Sequence, residues 1–341
     1  MIRTGCPHFR TFIGIDQTGA ATQSGRSAKK LSAAIARSRG SRSSLEVEIE
    51  LGTLRSLSPD SLYELTKSAG VVPSASKPAA LLIDCVFGLP LEIQIGERQG
   101  ALSLWNLMQQ TLRQSDPAFG RQPGQQFFKS FLPNFTGTYP LRNCDRLARA
   151  SSLFQTIPFQ KNIQTGTYRI WRDIANEGKP WLHFWPFELR GGTYPWWAFE
   201  SYPTFLWREV LGLKMRSSGL LRAAASRASH EAGLELRFNG WKSLVKHPDL
   251  ADAFVIALSG AILQTRRALW EPESGMMTTG NKSQEGWILG LSRDGEESKS
   301  CSKNGRGDAT LVERIVVVRE RPARWKRLKA GEIGLAPETS G

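Results

Sequence analysis

Two short runs, Thr11–Asp16 (TFIGID) and Ala79–Cys85 (AALLIDC), are apolar at nearly every position, and each carries an aspartate at or beside its end. Runs of this length, rich in β-branched and aromatic or aliphatic residues, predict buried strands. Asp16 is followed by Gln-Thr-Gly and Asp84 by Cys-Val-Phe-Gly-Leu-Pro, so each acid stands where a strand gives way to a turn. A third run, Pro195–Tyr202 (PWWAFESY), reads as a strand ending near Glu200. Strands buried on both faces require helices on both sides, and the chain supplies helical segments between them, so an α/β fold is expected.

The strongest helical signal is Pro248 to about Leu269. Its middle is apolar on every face, the mark of a helix enclosed in a core. It opens with His247-Pro248-Asp249-Leu250-Ala251-Asp252. Proline suits the first helical position. Asp249 and Asp252, three apart, share a helical face, and the positive helix end favours their ionised forms.

Other elements follow from pattern. Lys30–Ala36 reads as a strand, and Leu45–Leu54 (LEVEIELGTL) alternates as a half-exposed strand does. Ser58–Ala69 reads as a helix capped by Ser58 with Pro59 at its first position. Helices are also expected at Leu102–Arg113, Arg142–Ser151, Thr204–Leu211 and Leu220–Ala232. The Gln-, Gly- and Phe-rich stretch PAFGRQPGQQFFKSF reads as an inserted or mobile loop, and Gln160, Gln164 and Thr165-Gly166-Thr167 as a polar loop that could line a groove. The expected organisation is a domain over 1–290 with an insertion at about 92–195, then a basic, largely flexible tail over 291–341 with at most one strand, Glu313–Val318.

The formal net charge of +14 suits a polyanionic partner, nucleic acid foremost, because Lys and Arg displace counterions from phosphates. The longest apolar stretch, Ala253–Leu263, is too short to span a bilayer and is interrupted by Ser259, so no membrane partner is expected. Cys6, Cys85, Cys144 and Cys301 form no C-x-x-C pair; they read as free thiols in a reducing compartment, and no signal peptide is visible, so the cytoplasm is the expected location. There is no P-loop, dinucleotide fingerprint or nucleophile elbow. An actin-like ATPase would need a second glycine-rich phosphate turn, which the chain lacks.

Acids gathered from separate elements suit phosphodiester cleavage. That reaction needs an activated water and relief of charge on the leaving oxygen, and two divalent cations about 4 Å apart can supply both. Magnesium takes oxygen ligands, so carboxylates suffice without histidine or cysteine. Taken singly, each acid also fits a solvated turn or a helix cap.

These residues resemble a known family. Gly14-Ile15-Asp16, Ile83-Asp84-Cys85-Val86-Phe87-Gly88-Leu89-Pro90, Glu200-Ser201-Tyr202-Pro203, Asp249-Leu250-Ala251-Asp252-Ala253 and Glu285-Gly286-Trp287-Ile288 are similar to the predicted RNase H-like nucleases catalogued as domain of unknown function 429. The resemblance covers roughly residues 10–290. The Asp-x-x-Asp-Ala helix also resembles that of bacterial Holliday-junction resolvases. It implies an RNase H-like mixed sheet flanked by helices, with Asp16 as the first-strand acid, Asp84 as the fourth-strand acid, and Asp252, with Asp249 beside it, as the helix acids. The implied chemistry is Mg2+- or Mn2+-dependent hydrolysis of DNA or RNA, of an endonuclease or resolvase type. Asp16, Asp84, Asp249 and Asp252 would be catalytic and metal-binding, with Glu200 either a further metal-site acid or a structural hydrogen-bonding residue. The alternative is a non-catalytic nucleic-acid-binding protein on a nuclease-like fold.

Further residues carry two readings each. Trp181–Trp207 holds five of the eleven tryptophans, with Arg190 among them; the segment reads as core, with base stacking the lesser reading. Glu188 could support the metal site. Arg142 and Arg146 could hold phosphates from one helical face or form a solvated surface. His247 could assist proton transfer or simply start the helix, and His183 reads as packed.

Overall fold

In the computed structural model, the described residues are 7–17, 30–41, 44–90, 92–93, 101–113, 123–132, 136–155, 163–187, 194–265 and 286–291. All lie within one compact unit, Met1–Leu291. The 291–341 tail expectation, including the strand at Glu313–Val318, lies outside the described residues apart from Leu291, as do Gln160, Glu188, Arg190, Cys6 and Cys301.

The described elements are β1 (Thr11–Asp16), β2 (Leu31–Ser41), β3 (Ser44–Leu54), α1 (Pro59–Ser68), β4 (Ala79–Ile83), α2 (Ala101–Arg113), α3 (Pro123–Lys129), α4 (Asn143–Ala148), α5 (Ile163–Ala175), β5 (His183–Phe184), β6 (Trp196–Glu200), α6 (Pro203–Glu209), α7 (Ser218–Glu231), β7 (Leu234–Arg237), α8 (Trp241–Lys246) and α9 (Pro248–Thr265). The strands form one sheet in the order β5-β6-β4-β1-β2-β3-β7. β2 runs against both its neighbours, and the other neighbouring pairs are parallel. An α/β mixed sheet of this kind, flanked by helices, is the RNase H-like architecture that the resemblance implies.

Side chains alternate across each strand, and this parity divides the core. On one face Phe12, Ala80, Leu82 and Phe199 join α6, α7 and α9. On the other, Ile13, Ile15, Leu81, Ile83 and Ala198 join α1, α2, α3 and α5. α9 is buried continuously from Ala251 to Leu263, which explains its lack of a polar face. It lies against β1 because Gly14 has no side chain: a Cβ there would stand 2.2 Å from the Ala253 carbonyl oxygen and 2.5 Å from the Ala257 nitrogen. Ser58 caps α1 by accepting from the Ser61 N–H, with Pro59 in the first turn.

Two loop expectations are corrected. Within PAFGRQPGQQFFKSF, Pro123–Lys129 is the helix α3, whose Phe127 and Phe128 are fully buried against Trp171. Gln164–Thr167 belongs to α5 rather than to a groove-lining loop, and Gln164 and Thr167 are buried. Their sequence is polar locally, but the helix continues through Tyr168, Ile170, Trp171 and Ile174, which the core takes up. Among the described residues, no helix is long and apolar enough to cross a membrane.

Candidate carboxylate site

The sheet carries its acids to one edge by register. Ile15 pairs with Ile83 across β1 and β4, and the Asp84 N–H donates to the Ile15 carbonyl (2.9 Å), so Asp16 and Asp84 stand side by side. Both have the parity of the residues facing α9: Asp16 follows Phe12 and Gly14, and Asp84 follows Ala80 and Leu82. The close β1–α9 approach then brings the first turn of α9, with Asp249 and Asp252, over the same edge. Asp16, Asp84, Asp249 and Asp252 all line one cavity of about 270 Å³.

The electrostatics fit four acids in a confined space. Asp16 is 4 % exposed, and its carboxyl is pushed up to about 10, first by burial and then by Asp84, Asp252 and Asp249. Asp84 is half-buried and raised to about 7, by burial and by Asp252, against the opposing pull of Arg216. Between the two neighbours the proton is held more strongly on Asp16 than on Asp84. Such a pair shares its protons.

Asp252 is held differently. Its Oδ1 accepts from Trp207 Nε1 (2.6 Å), and its Oδ2 from Arg216 Nη1 (2.5 Å). Arg216, from the α6–α7 connection, also donates from Nη2 to Thr204 Oγ1 (2.8 Å). Among the described residues, no group of three or more His, Cys, Asp or Glu side chains is placed to hold a metal ion as it stands. The donor set nevertheless has the chemistry of a hard-cation site: carboxylate oxygens from three elements, in a cavity where they raise one another's affinity for positive charge. Ser201 also lines it, with a buried Oγ that has no hydrogen-bond partner, whereas Gln17 Oε1 is buried against Gly166 of α5.

Glu200 takes the structural of its two expected roles. Its Oε2 accepts from the Phe87 N–H (2.9 Å) and from Arg142 Nη1 (2.6 Å), and its Oε1 from Arg142 Nη2. The reason is parity. Glu200 pairs with Ile83, so it faces away from the side of Asp84. The next residue, Ser201, whose N–H donates to the Ile83 carbonyl, falls in the row of Asp16 and Asp84. Glu200 still borders the cavity, but Arg142 occupies its charge.

That pairing also settles Arg142. It is not a solvated surface residue; it is 1 % exposed and salt-bridged to Asp145 (2.6 Å) as well as Glu200. Its partner in the sequence pattern, Arg146, is exposed near Glu92 (3.6 Å). Trp181, Trp185, Trp196 and Trp207 are buried, as the core reading expects. His183 packs on Trp197 at 3.7 Å between ring centroids, and burial lowers it to about 4. His247 is exposed at the end of α8. Cys85 and Cys144 are buried free thiols.

No family model, curated protein or solved structure matches this chain. Arg216, Trp207 and Ser201 were not legible as site residues from sequence. Only Ser201, in the row of the two strand aspartates, could have been found by counting.

Proposed function

We propose that the chain is a metal-dependent nuclease of the RNase H-like kind, hydrolysing phosphodiester bonds of nucleic acid at the four-aspartate cavity. The observation that carries this reading is the convergence of Asp16, Asp84, Asp249 and Asp252, from three elements far apart in sequence, on one cavity. The resemblance to the domain of unknown function 429 nucleases and the net charge of +14 point the same way.

Asp16, Asp84 and Asp252 would hold Mg2+ or Mn2+, with Asp249 completing or tuning the set. Such an ion, when bound, supplies an activated water and charge relief at the phosphate. The chain's own part is to deliver oxygens of fixed parity, to lose the Asp16–Asp84 proton, and to release Asp252 Oδ2 from Arg216. Trp207 keeps Asp252 oriented through Oδ1. Ser201 Oγ offers a hydroxyl to a bound water or phosphate. The buried thiols Cys85 and Cys144 fit a reducing compartment such as the cytoplasm.

A second reading has its own observation. Arg216 on Asp252 neutralises one acid without any metal, as in a nuclease-like fold that binds nucleic acid without cutting it. The test is a cleavage panel of labelled single-stranded, double-stranded and branched DNA and RNA with Mg2+ or Mn2+. The nuclease reading expects cleavage by the purified protein and its loss in Asp16→Asn. Binding without cleavage across the panel favours the second reading, and cleavage retained by a folded Asp16→Asn protein rejects the site.

A further inference from the structure

Arg216 is a cation already present on an aspartate of the carboxylate cavity. It comes from the α6–α7 connection, where Lys214 and Met215 beside it are exposed, Met215 at 78 %. The Arg216 side chain is 48 % exposed, whereas the Asp252 side chain it grips is 7 % exposed. One end of the ion pair is therefore fixed in the fold and the other reaches in from solvent. Its guanidinium spans Asp252 Oδ2 and Thr204 Oγ1, both at the cavity. The anchored end stays anchored without it, because Trp207 holds the other oxygen of Asp252.

The cavity needs positive charge. Asp16, Asp84, Asp249 and Asp252 share its lining, and Arg216 is bonded directly to one of them. Ser201 Oγ, buried and unpartnered at the same cavity, adds a hydroxyl for a ligand.

We propose that Arg216 is a displaceable stand-in for the divalent ion: it occupies Asp252 Oδ2 in the metal-free protein, and metal binding releases it to hold a backbone phosphate of the nucleic acid at the cavity rim. This rests on the metal reading above and adds a positioning residue to it. A guanidinium forks onto a carboxylate or onto a phosphate with similar geometry, so the same arm serves both states. The exchange couples the two ligands. Metal frees the arm for phosphate, and phosphate, by keeping the arm occupied, removes the competitor of the metal.

The test is calorimetric titration of Mn2+ into the full chain without nucleic acid, for wild type, Arg216→Gln, Thr204→Val and Lys214→Gln. Arg216→Gln removes the competitor and is expected to bind Mn2+ about tenfold more tightly. Thr204→Val loosens the arm while keeping its charge and should show a smaller gain. Lys214→Gln makes the same charge change two residues away and should stay within about twofold of wild type, which separates local competition from general electrostatics. With Mn2+ present, Arg216→Gln should also bind a fluorescent oligonucleotide more weakly, with its log–log salt slope reduced by about one. Wild-type Mn2+ binding that Arg216→Gln leaves unchanged or weakens overturns the exchange and leaves the metal reading standing. An equal gain in Lys214→Gln also overturns it. Absence of Mn2+ binding by wild type and Arg216→Gln alike overturns both.

Discussion

Asp16 and Asp84 stand side by side across the β1–β4 pair, where the Asp84 N–H donates to the Ile15 carbonyl (2.9 Å). This contact is a consequence of strand register, since parallel neighbours paired at Ile15 and Ile83 must bring the next residues side by side. Two carboxylates in that position cannot both ionise cheaply in a buried site.

A stability prediction follows from the sign of those shifts. In the unfolded chain both acids ionise near 3.8, whereas in the fold Asp16 is raised to about 10 and Asp84 to about 7. The native state therefore binds more protons than the unfolded state, and stability falls as pH rises. The contribution of the pair is fully present below about pH 4 and is lost as pH climbs through the folded values. In metal-free buffer the urea midpoint should decline between about pH 5 and pH 9. Asp16→Asn should flatten that slope and stabilise the metal-free protein by about 1–3 kcal/mol at neutral pH. An unchanged slope in the variant would remove Asp16 as its source.

Removing Arg142 should be costly. It is buried between Glu200 and Asp145, and Arg142→Ala leaves both acids without their cation. The expected loss is about 3–5 kcal/mol in urea unfolding. Adding Glu200→Gln in the same chain should recover part of it, since one uncompensated charge is then gone. A loss below about 1 kcal/mol would mean the pair is not buried as described.

The parity of the strands explains how much could be foreseen. The β1 and β4 runs, the acids at their ends and the proline-led α9 were readable because each signal is local: apolar run, turn, helix start. Glu200 carries two readings in the sequence, metal-site acid and structural hydrogen-bonding residue, because a strand end without its register to β4 does not separate them. Counting by twos from Phe199 would have put Ser201 with Asp84. α5 was obscured by the polar Gln-Thr-Gly-Thr at its start, although Tyr168, Trp171 and Ile174 carry helical spacing further on. Arg216 had no local signal, because its meaning depends on Asp252, 36 residues away in the chain.

Gly14 sets the distance between the first-strand acid and the helix acids. Gly14→Ala would drive a methyl group into the Ala253 carbonyl and Ala257 nitrogen, so α9 must move. The expected cost is about 1–3 kcal/mol or more, with a parallel loss of Mn2+ affinity because Asp249 and Asp252 shift relative to Asp16. Calorimetry on the folded variant checks this, and wild-type affinity would show that the strand–helix spacing does not govern the site.

The most direct measurement is thermal unfolding with and without Mn2+, on wild type and Asp84→Ala. Binding at about 100 times the dissociation constant adds about 2.7 kcal/mol, a rise of several degrees for a chain of this size. Wild type should show that rise and Asp84→Ala should lose it. No rise in wild type, or an equal rise in the variant, would contradict a divalent-ion site built on these aspartates.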